Sequence, residues 1–218
     1  MIWQIPTPTR FEGRHVLITR LTPDEDIDDL YEVSHSRDEF KQLWKYMTYG
    51  PFGSKEEMYN WLQSIKESTD PLFYTVFSKQ LKKKVGMYAI MSPKTRHGRV
   101  ELGNIWYSPL VQKTIVNSEA TFLFLSYLFD DLKYRRVEWK CDDHNEASKY
   151  AATRLGFTYE GLFRHHMIVK GKNRDTAWFS MLDSEWPERK GDFERYFANP
   201  GLSLTKLHGR QEDTLPQD

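Results

Sequence analysis

Between residues 99 and 155 the chain alternates a β pattern with a helical one twice over, and a helix placed between two strands restricts the fold more than any other feature of the sequence. Residues 99–107 (RVELGNIWY) read as a strand stopped by Pro109. Residues 117–132 form a strongly apolar helix, with Asn117 or Ser118 as its expected N-cap and Glu119 in the first turn. Residues 135–141 (RRVEWKC) alternate, with Val137, Trp139 and Cys141 facing inward. Residues 145–155 follow as a helix capped by Asn145 and closed by Gly156. Strands joined through a helix pair in parallel, so this half of the chain predicts parallel contacts.

The flanking regions read differently. Residues 1–13, with Pro6 and Pro8, form an extended leader, and residues 14–21 (RHVLITRL) alternate as a strand. Thr22-Pro23-Asp24 marks a helix start with proline in the first turn, continued by Ile27, Leu30, Tyr31 and Ser34. Residues 40–47 read as a second short helix. Ser54 and Glu57 form a capping box ahead of the apolar stripe Met58, Trp61, Leu62 and Ile65. Residues 72–78 and 85–91 are β-rich, with Lys82, Lys83 and Lys84 expected in a solvated turn between them. Residues 157–169 and 175–182 are strands around the hairpin signature Lys170-Gly171-Lys172-Asn173. From Trp186 the pattern decays: residues 192–197 predict a short helix, and the segment after Asn199 is expected to be loose. The fold class is α/β, with a mixed central sheet that is antiparallel in front and parallel behind. The expected organisation is a leader over 1–13, one domain over 14–187 and a partly loose extension over 188–218.

Composition excludes several functions. Lys plus Arg and Asp plus Glu both number 31, so no net charge draws the chain to nucleic acid or to anionic membranes. Cys141 is the sole cysteine, which rules out an internal disulfide and a cysteine-based structural zinc site and suits a reducing compartment. No secretory pattern opens the sequence and no 18-residue apolar run occurs, so a cytoplasmic protein without a membrane span is expected.

Two segments carry chemistry. In the first, the strand holding Glu101, Leu102 and Gly103 leads through Trp106-Tyr107-Ser108-Pro109 into the loop Val111, Gln112, Lys113, Thr114, Ile115, Val116 and Asn117. Loop amides and the positive end of the following helix make an anion site of the kind a pyrophosphate needs. The second is Asn145-Glu146-Ala147-Ser148 with Arg154-Leu155-Gly156-Phe157. There Asn145 caps the helix, and Ser148 lies one turn along, beside the strand that ends at Cys141.

Together these segments resemble the GNAT superfamily, in the branch similar to the ribosomal-protein N-acetyltransferases RimJ and RimL. The matching blocks are ELGNIWYSP, NSEA, YRRVEWKCDDHNEAS and RLGFTYEGLFR, with GRHV and TRL near the start and WFS near the end, covering roughly residues 10–187. The resemblance implies acetyl-CoA as donor and no metal. It also implies a GNAT fold whose splayed strand pair, flanked by helices, holds the pantetheine arm. Backbone from Val111 to Asn117 would bind the pyrophosphate, with Gln112, Lys113 and Thr114 nearby. Asn145 would bond the pantetheine, and Ser148 would sit near the CoA sulfur. Two positions depart from the family pattern. QKTIVN has no glycine in the loop, and Ala152 occupies the place where many members carry a tyrosine, which leaves Ser148 as the candidate acid.

The implied reaction is aminolysis of a thioester by a primary amine, either a small molecule or a protein N-terminus. A catalytically silent CoA-binding module is the alternative. The amine must be neutral to attack, and Glu101 reads either as its base or as an ion-pair partner. A strand N–H near residues 104–106 is the expected oxyanion donor. Cys141 reads as structural. His165 and His166 are expected on opposite strand faces. Trp44, Tyr46, Tyr49 and Phe52 read as an acceptor wall or as core. Arg164, Lys170 and Arg174 would favour an acceptor with a carboxylate or phosphate. The apolar hairpin face admits a homodimer.

Overall fold

The computed structural model describes residues 2–199 and 201–209. Eight strands form one sheet, in the order β1-β2-β3-β4-β5-β6-β8-β7. In chain order they are β1 (Arg10–Glu12), β2 (Val16–Arg20), β3 (Leu72–Ser78), β4 (Lys83–Lys94), β5 (Arg99–Tyr107), β6 (Arg136–Asp142), β7 (Thr158–Val169) and β8 (Lys172–Leu182). The helices are α1 (Pro23–His35), α2 (Lys55–Ile65), α3 (Ile115–Ser126), α4 (Glu146–Arg154), α5 (Trp186–Ala198) and α6 (Leu204–His208). Among the described residues only β5 and β6, the pair joined through α3, run parallel; every other pairing there is antiparallel.

Two apolar cores lie against the sheet. The larger gathers Phe124, Leu125 and Leu128 with Val137, Trp139, Phe157 and Phe179, and the smaller gathers Leu30, Trp44, Met58 and Leu62 with Phe73 and Trp106. The leader is extended but tied down: Trp3 bonds the carbonyls of Thr95 and Lys133, and the hydroxyls of Tyr134 and Tyr74 reach the carbonyls of Gln4 and Pro8.

Several boundaries differ from expectation. The helix predicted from Asn117 begins two residues earlier, because Thr114 is the N-cap and its hydroxyl accepts the Val116 N–H. Its last part, Tyr127–Asp131, is a π-turn. The second short helix is a 3-10 segment over Asp38–Trp44. In the capping box Ser54 accepts the Glu57 N–H as expected, while the Glu57 carboxylate takes the N–H of Gly53 rather than that of Ser54. The lysine triplet is a solvated turn only at Lys82, which is exposed; Lys83 pairs with Glu32, and Lys84 pairs with the buried Asp26 of α1. The described part of the segment past residue 187 is built into the fold. α5 and α6 bring Trp186, Phe193, Leu204 and Leu207 into the larger core. Residues 210–218 lie outside the described residues.

His35 and His208 are both buried, and burial lowers each imidazole to about 4. At His35 the reason is visible. Nε2 accepts the Phe52 N–H, and Nδ1 meets Ser34 Oγ, whose own proton goes to the Leu30 carbonyl. Both ring nitrogens are thus satisfied only in the neutral form. Because the folded state resists a proton that the unfolded chain takes up near 6.5, stability is complete above that pH and is lost as pH falls toward about 4. The urea midpoint is expected to fall steadily across this window, and a flat profile would mean that both imidazoles titrate normally.

Candidate functional site

The parallel pairing of β5 with β6 is short. It runs from Arg99↔Arg136 to Leu102↔Trp139 and then stops, although both strands continue. Its end coincides with a bulge. Between Ala89↔Gly103 and Met87↔Trp106, β5 carries one residue more than β4, and Asn104 there has φ of +50°. A bulge bends its strand, and asparagine tolerates the left-handed conformation better than most residues. β5 thus diverges from β6, and the edges that face one another past Leu102 and Trp139 have no ladder partner.

A cavity of about 600 Å³ opens at this divergence. Gly103, Asn104 and Ile105 line it from β5, and Trp139, Lys140, Cys141 and Asp142 line it from β6. Glu101, Asn145 and Ser148, expected at the site from sequence, all contribute to its wall. Tyr46, Tyr49, Trp61 and Phe73 form another wall, and His166, Met167, Arg174 and Thr176 of the hairpin form a third.

Glu101 is buried, and its carboxylate lies 2.7 Å from Lys140 Nζ. Burial raises its pKa from the ordinary value, and the Lys140 charge opposes the rise. Lys140 is 3.5 Å from Glu138 and stands over the Trp178 ring at 3.8 Å, so the ammonium is held in place on several sides. Asn145 is the N-cap of α4: its Oδ1 accepts the Ser148 N–H at 3.1 Å. The Ser148 hydroxyl accepts the indole N–H of Trp139 at 3.0 Å, which fixes its oxygen beside β6 and leaves its own proton to donate. Cys141 is buried next to it, and burial raises its thiol. A raised thiol is mostly protonated and a poor nucleophile. The tyrosine-lacking position is part of the core, since Ala152 is fully buried. Tyr150 is exposed, with its hydroxyl 3.3 Å from Thr205.

Val111, Gln112, Lys113, Thr114, Ile115, Val116 and Asn117 are not in the cavity wall. They surround the start of α3. Gln112 bonds the Tyr107 carbonyl, Lys113 takes φ of +62°, and Thr114 both caps α3 and bonds the Val111 carbonyl. One cation beside them was missed: Arg154, whose guanidinium donates to Ser118 Oγ in the first turns of α3 at 2.8 Å. Among the described residues no carboxylate pairs with it. In the sequence it reads only as a basic residue in the last turn of α4, a place where helices favour cations anyway.

The two hairpin histidines differ in surroundings. A register shift falls between Phe163 and Met167, with His165 at φ of +51°, and the two side chains are nevertheless separated as adjacent strand residues are. His166 lines the cavity with Nδ1 3.0 Å from the Thr176 hydroxyl, whereas His165 lies outside it. Trp44 and Phe52 belong to the smaller core rather than to the cavity wall. Among the described residues no group of three or more His, Cys, Asp or Glu is placed to hold a metal ion, and no helix is long and apolar enough to cross a membrane.

Comparison with known proteins agrees with this geometry. The family model of the acetyltransferase (GNAT) domain matches residues 15–158. A GCN5-related N-acetyltransferase from Brucella melitensis, known from its crystal structure, is 38% identical. The alignment covers 95% of this chain and 97% of that one, with a TM-score of 0.91. YdaF of Bacillus subtilis (strain 168), named as a candidate ribosomal N-acetyltransferase, is 27% identical over 105 residues, 48% of this chain and 57% of its own. At 17% identity the likeness to the microcin C7 self-immunity acetyltransferase MccE, solved in complex with acetyl-CoA and AMP, is one of fold. It covers 78% of this chain and 93% of that one at a TM-score of 0.68. By its matched domain and by its near full-length likeness to the Brucella protein, the chain belongs to the GNAT acetyltransferase family.

Proposed function

We propose that the protein transfers an acetyl group from acetyl-CoA to a primary amine by direct attack, with no covalent enzyme intermediate, in a reducing cytoplasmic compartment. The observation that carries this reading is the divergence of β5 from β6 into a cavity walled by Glu101, Asn145 and Ser148. Acetyl-CoA supplies the activated thioester. Unpaired β5 amides past Leu102 are donors for the pantetheine arm and for the charge that develops on the acyl oxygen. The first-turn amides of α3, with Arg154 beside them, suit the phosphates in a loop that lacks glycine. Ser148 donates its proton toward the departing thiolate, and Glu101 receives the proton of the attacking ammonium. The buried thiol of the lone Cys141 takes no part in this scheme. Turnover is favoured over a silent CoA module because the cavity brings a buried carboxylate and an oriented hydroxyl to the same opening.

Thermal stabilisation by acetyl-CoA tests the donor site. Binding to the native state adds about 2.7 kcal/mol of stability by mass action at a hundredfold excess over Kd, and the midpoint rises with it. A clear shift is expected for the wild type. Asn145→Ala is expected to lower the unliganded stability by about 1 kcal/mol through loss of the cap and, separately, to shrink the acetyl-CoA shift. No wild-type shift at millimolar acetyl-CoA would rule out the donor assignment.

A further inference from the structure

We infer that the acceptor is an apolar amine bearing a carboxylate, and that Arg174 is its anion anchor. The inference rests on the acetyl-transfer reading above and adds the class of acceptor to it. Three cations of the hairpin are candidates for such a role, and the structure separates them. Arg164 is exposed and outside the cavity wall. Lys170 is used, since its Nζ donates to the Trp44 carbonyl at 2.8 Å and ties the hairpin tip to the segment that carries Tyr46 and Tyr49. Arg174 lines the cavity, its Nε is buried without a hydrogen-bond partner, and no carboxylate forms an ion pair with it among the described residues.

The other cations around the cavity face are neutralised. Lys140 pairs with Glu101 and Glu138, Arg99 pairs with Glu138, and Arg136 pairs with Glu138 and Glu160. A guanidinium donor cut off from water and from any hydrogen-bond acceptor is unfavourable, and although the Glu101 charge acts on Arg174, it makes no hydrogen bond or ion pair with it. Glu101 is not available, because Lys140 already holds it at 2.7 Å. A carboxylate from the acceptor can pair with the terminal N–H groups of the Arg174 guanidinium, which are not buried as Nε is, and supply the counter-charge that no ion pair provides. One unpaired cation calls for one anionic group.

The facing wall sets the rest of the molecule. Tyr49 stacks on Trp61 with ring centroids 4.1 Å apart, and Tyr46 and Phe73 extend the same surface. The Tyr49 hydroxyl is buried without a partner, so the residue offers the cavity its ring rather than its polar tip. An amine with an apolar or aromatic body covers this wall while its carboxylate meets Arg174. A polycationic amine would leave Arg174 facing like charge and is disfavoured.

The test uses matched amines that differ only by a carboxylate: phenylalanine against 2-phenylethylamine, and 4-(aminomethyl)benzoate against benzylamine. CoA release is followed in the full chain and in Arg174→Met, which keeps a flexible unbranched stem without the guanidinium charge. In at least one pair the carboxylated amine is expected to have a kcat/KM about tenfold higher or more, as one charge-assisted contact implies. Arg174→Met is expected to bring that ratio to about one while its thermal shift with acetyl-CoA stays at the wild-type value. Calorimetry with the N-acetylated products, in the presence of CoA, reads the same subsite without turnover. A preference for the carboxylated product that Arg174→Met abolishes sustains the anchor even where acetyl transfer itself fails. Equal turnover and equal product binding within both pairs overturn it, and so does a preference that survives in Arg174→Met.

Discussion

Replacing Glu119 by alanine is expected to destabilise the fold by about 3–5 kcal/mol, the largest effect of any single substitution considered for this chain. The Glu119 carboxylate is buried and accepts three successive backbone N–H groups, from Arg14 at 2.9 Å, His15 at 2.7 Å and Val16 at 2.8 Å. These bonds are charge-assisted, and each donor left without a partner costs about 1–3 kcal/mol. The contact also explains Gly13. A Cβ at that position would lie 2.6 Å from the Glu119 carboxylate, so the chain passes too close for any side chain. Alanine at 119 strands three donors at the start of β2 and unpins the β1–β2 turn from α3. For a domain of this size, about 2–4 °C of midpoint per kcal/mol places the loss near 10 °C. Glu119→Gln retains one acceptor oxygen, and its amide N–H₂ opposes one of the donors, so it should fall between wild type and alanine. Paired urea and thermal melts decide the matter. An alanine variant within about 1 kcal/mol of wild type would show that water replaces the carboxylate.

The misreading of Glu119 shows where sequence reasoning runs out. Its residue type and neighbours fit an acidic group in a first helical turn, because the sequence placed the cap at Asn117. The cap is Thr114, so Glu119 moves into the second turn, and its partners lie more than a hundred positions away. Local signals carried local facts well: Ser54 and Asn145 are N-caps, and Pro23 opens α1. The alternation of β5, α3 and β6 carried the parallel pair. What decides the site is less local. The bulge at Asn104 that parts β5 from β6 has no sequence signature beyond an asparagine in a strand. The register shift near His165 likewise leaves no mark in the sequence, although the period-two expectation that only one of His165 and His166 faces the cleft agrees with the structure. α5 extends over Trp186–Ala198, beyond the short helix that residues 192–197 predict, because its apolar contacts Trp186 and Phe193 are too sparse in the sequence to mark a helical stripe. Pro187 stands in its first turn, a place to which proline is well suited. Glu101, Asn145 and Ser148 were legible as candidates because they sit in motif blocks. Arg174 drew notice only as one of three nearby cations, and burial without a partner is what separates it from Arg164 and Lys170.

Glu101→Gln is expected to lower kcat/KM for the acceptor about a hundredfold, or about 2.7 kcal/mol, while leaving acetyl-CoA binding unchanged. The substitution keeps the shape and an acceptor oxygen for Lys140, which also retains Glu138 at 3.5 Å, so the fold is not at risk. What it removes is the only site in that side chain that takes up a proton. Burial raises the Glu101 pKa and brings the carboxylate closer to the range in which a base works near neutral pH. The sign follows from its role. A base acts when deprotonated, so wild-type kcat/KM should rise with pH through the raised value of Glu101 and then level off. In Glu101→Gln that acidic limb disappears, and the residual rate depends on the fraction of amine that is already neutral. The contrast separates the two meanings that the sequence left open. An ion-pair partner that only positions Lys140 would give a variant with reduced activity but an unshifted pH profile. A base gives a variant whose rate at high pH approaches the wild type, because there the amine no longer needs to lose a proton.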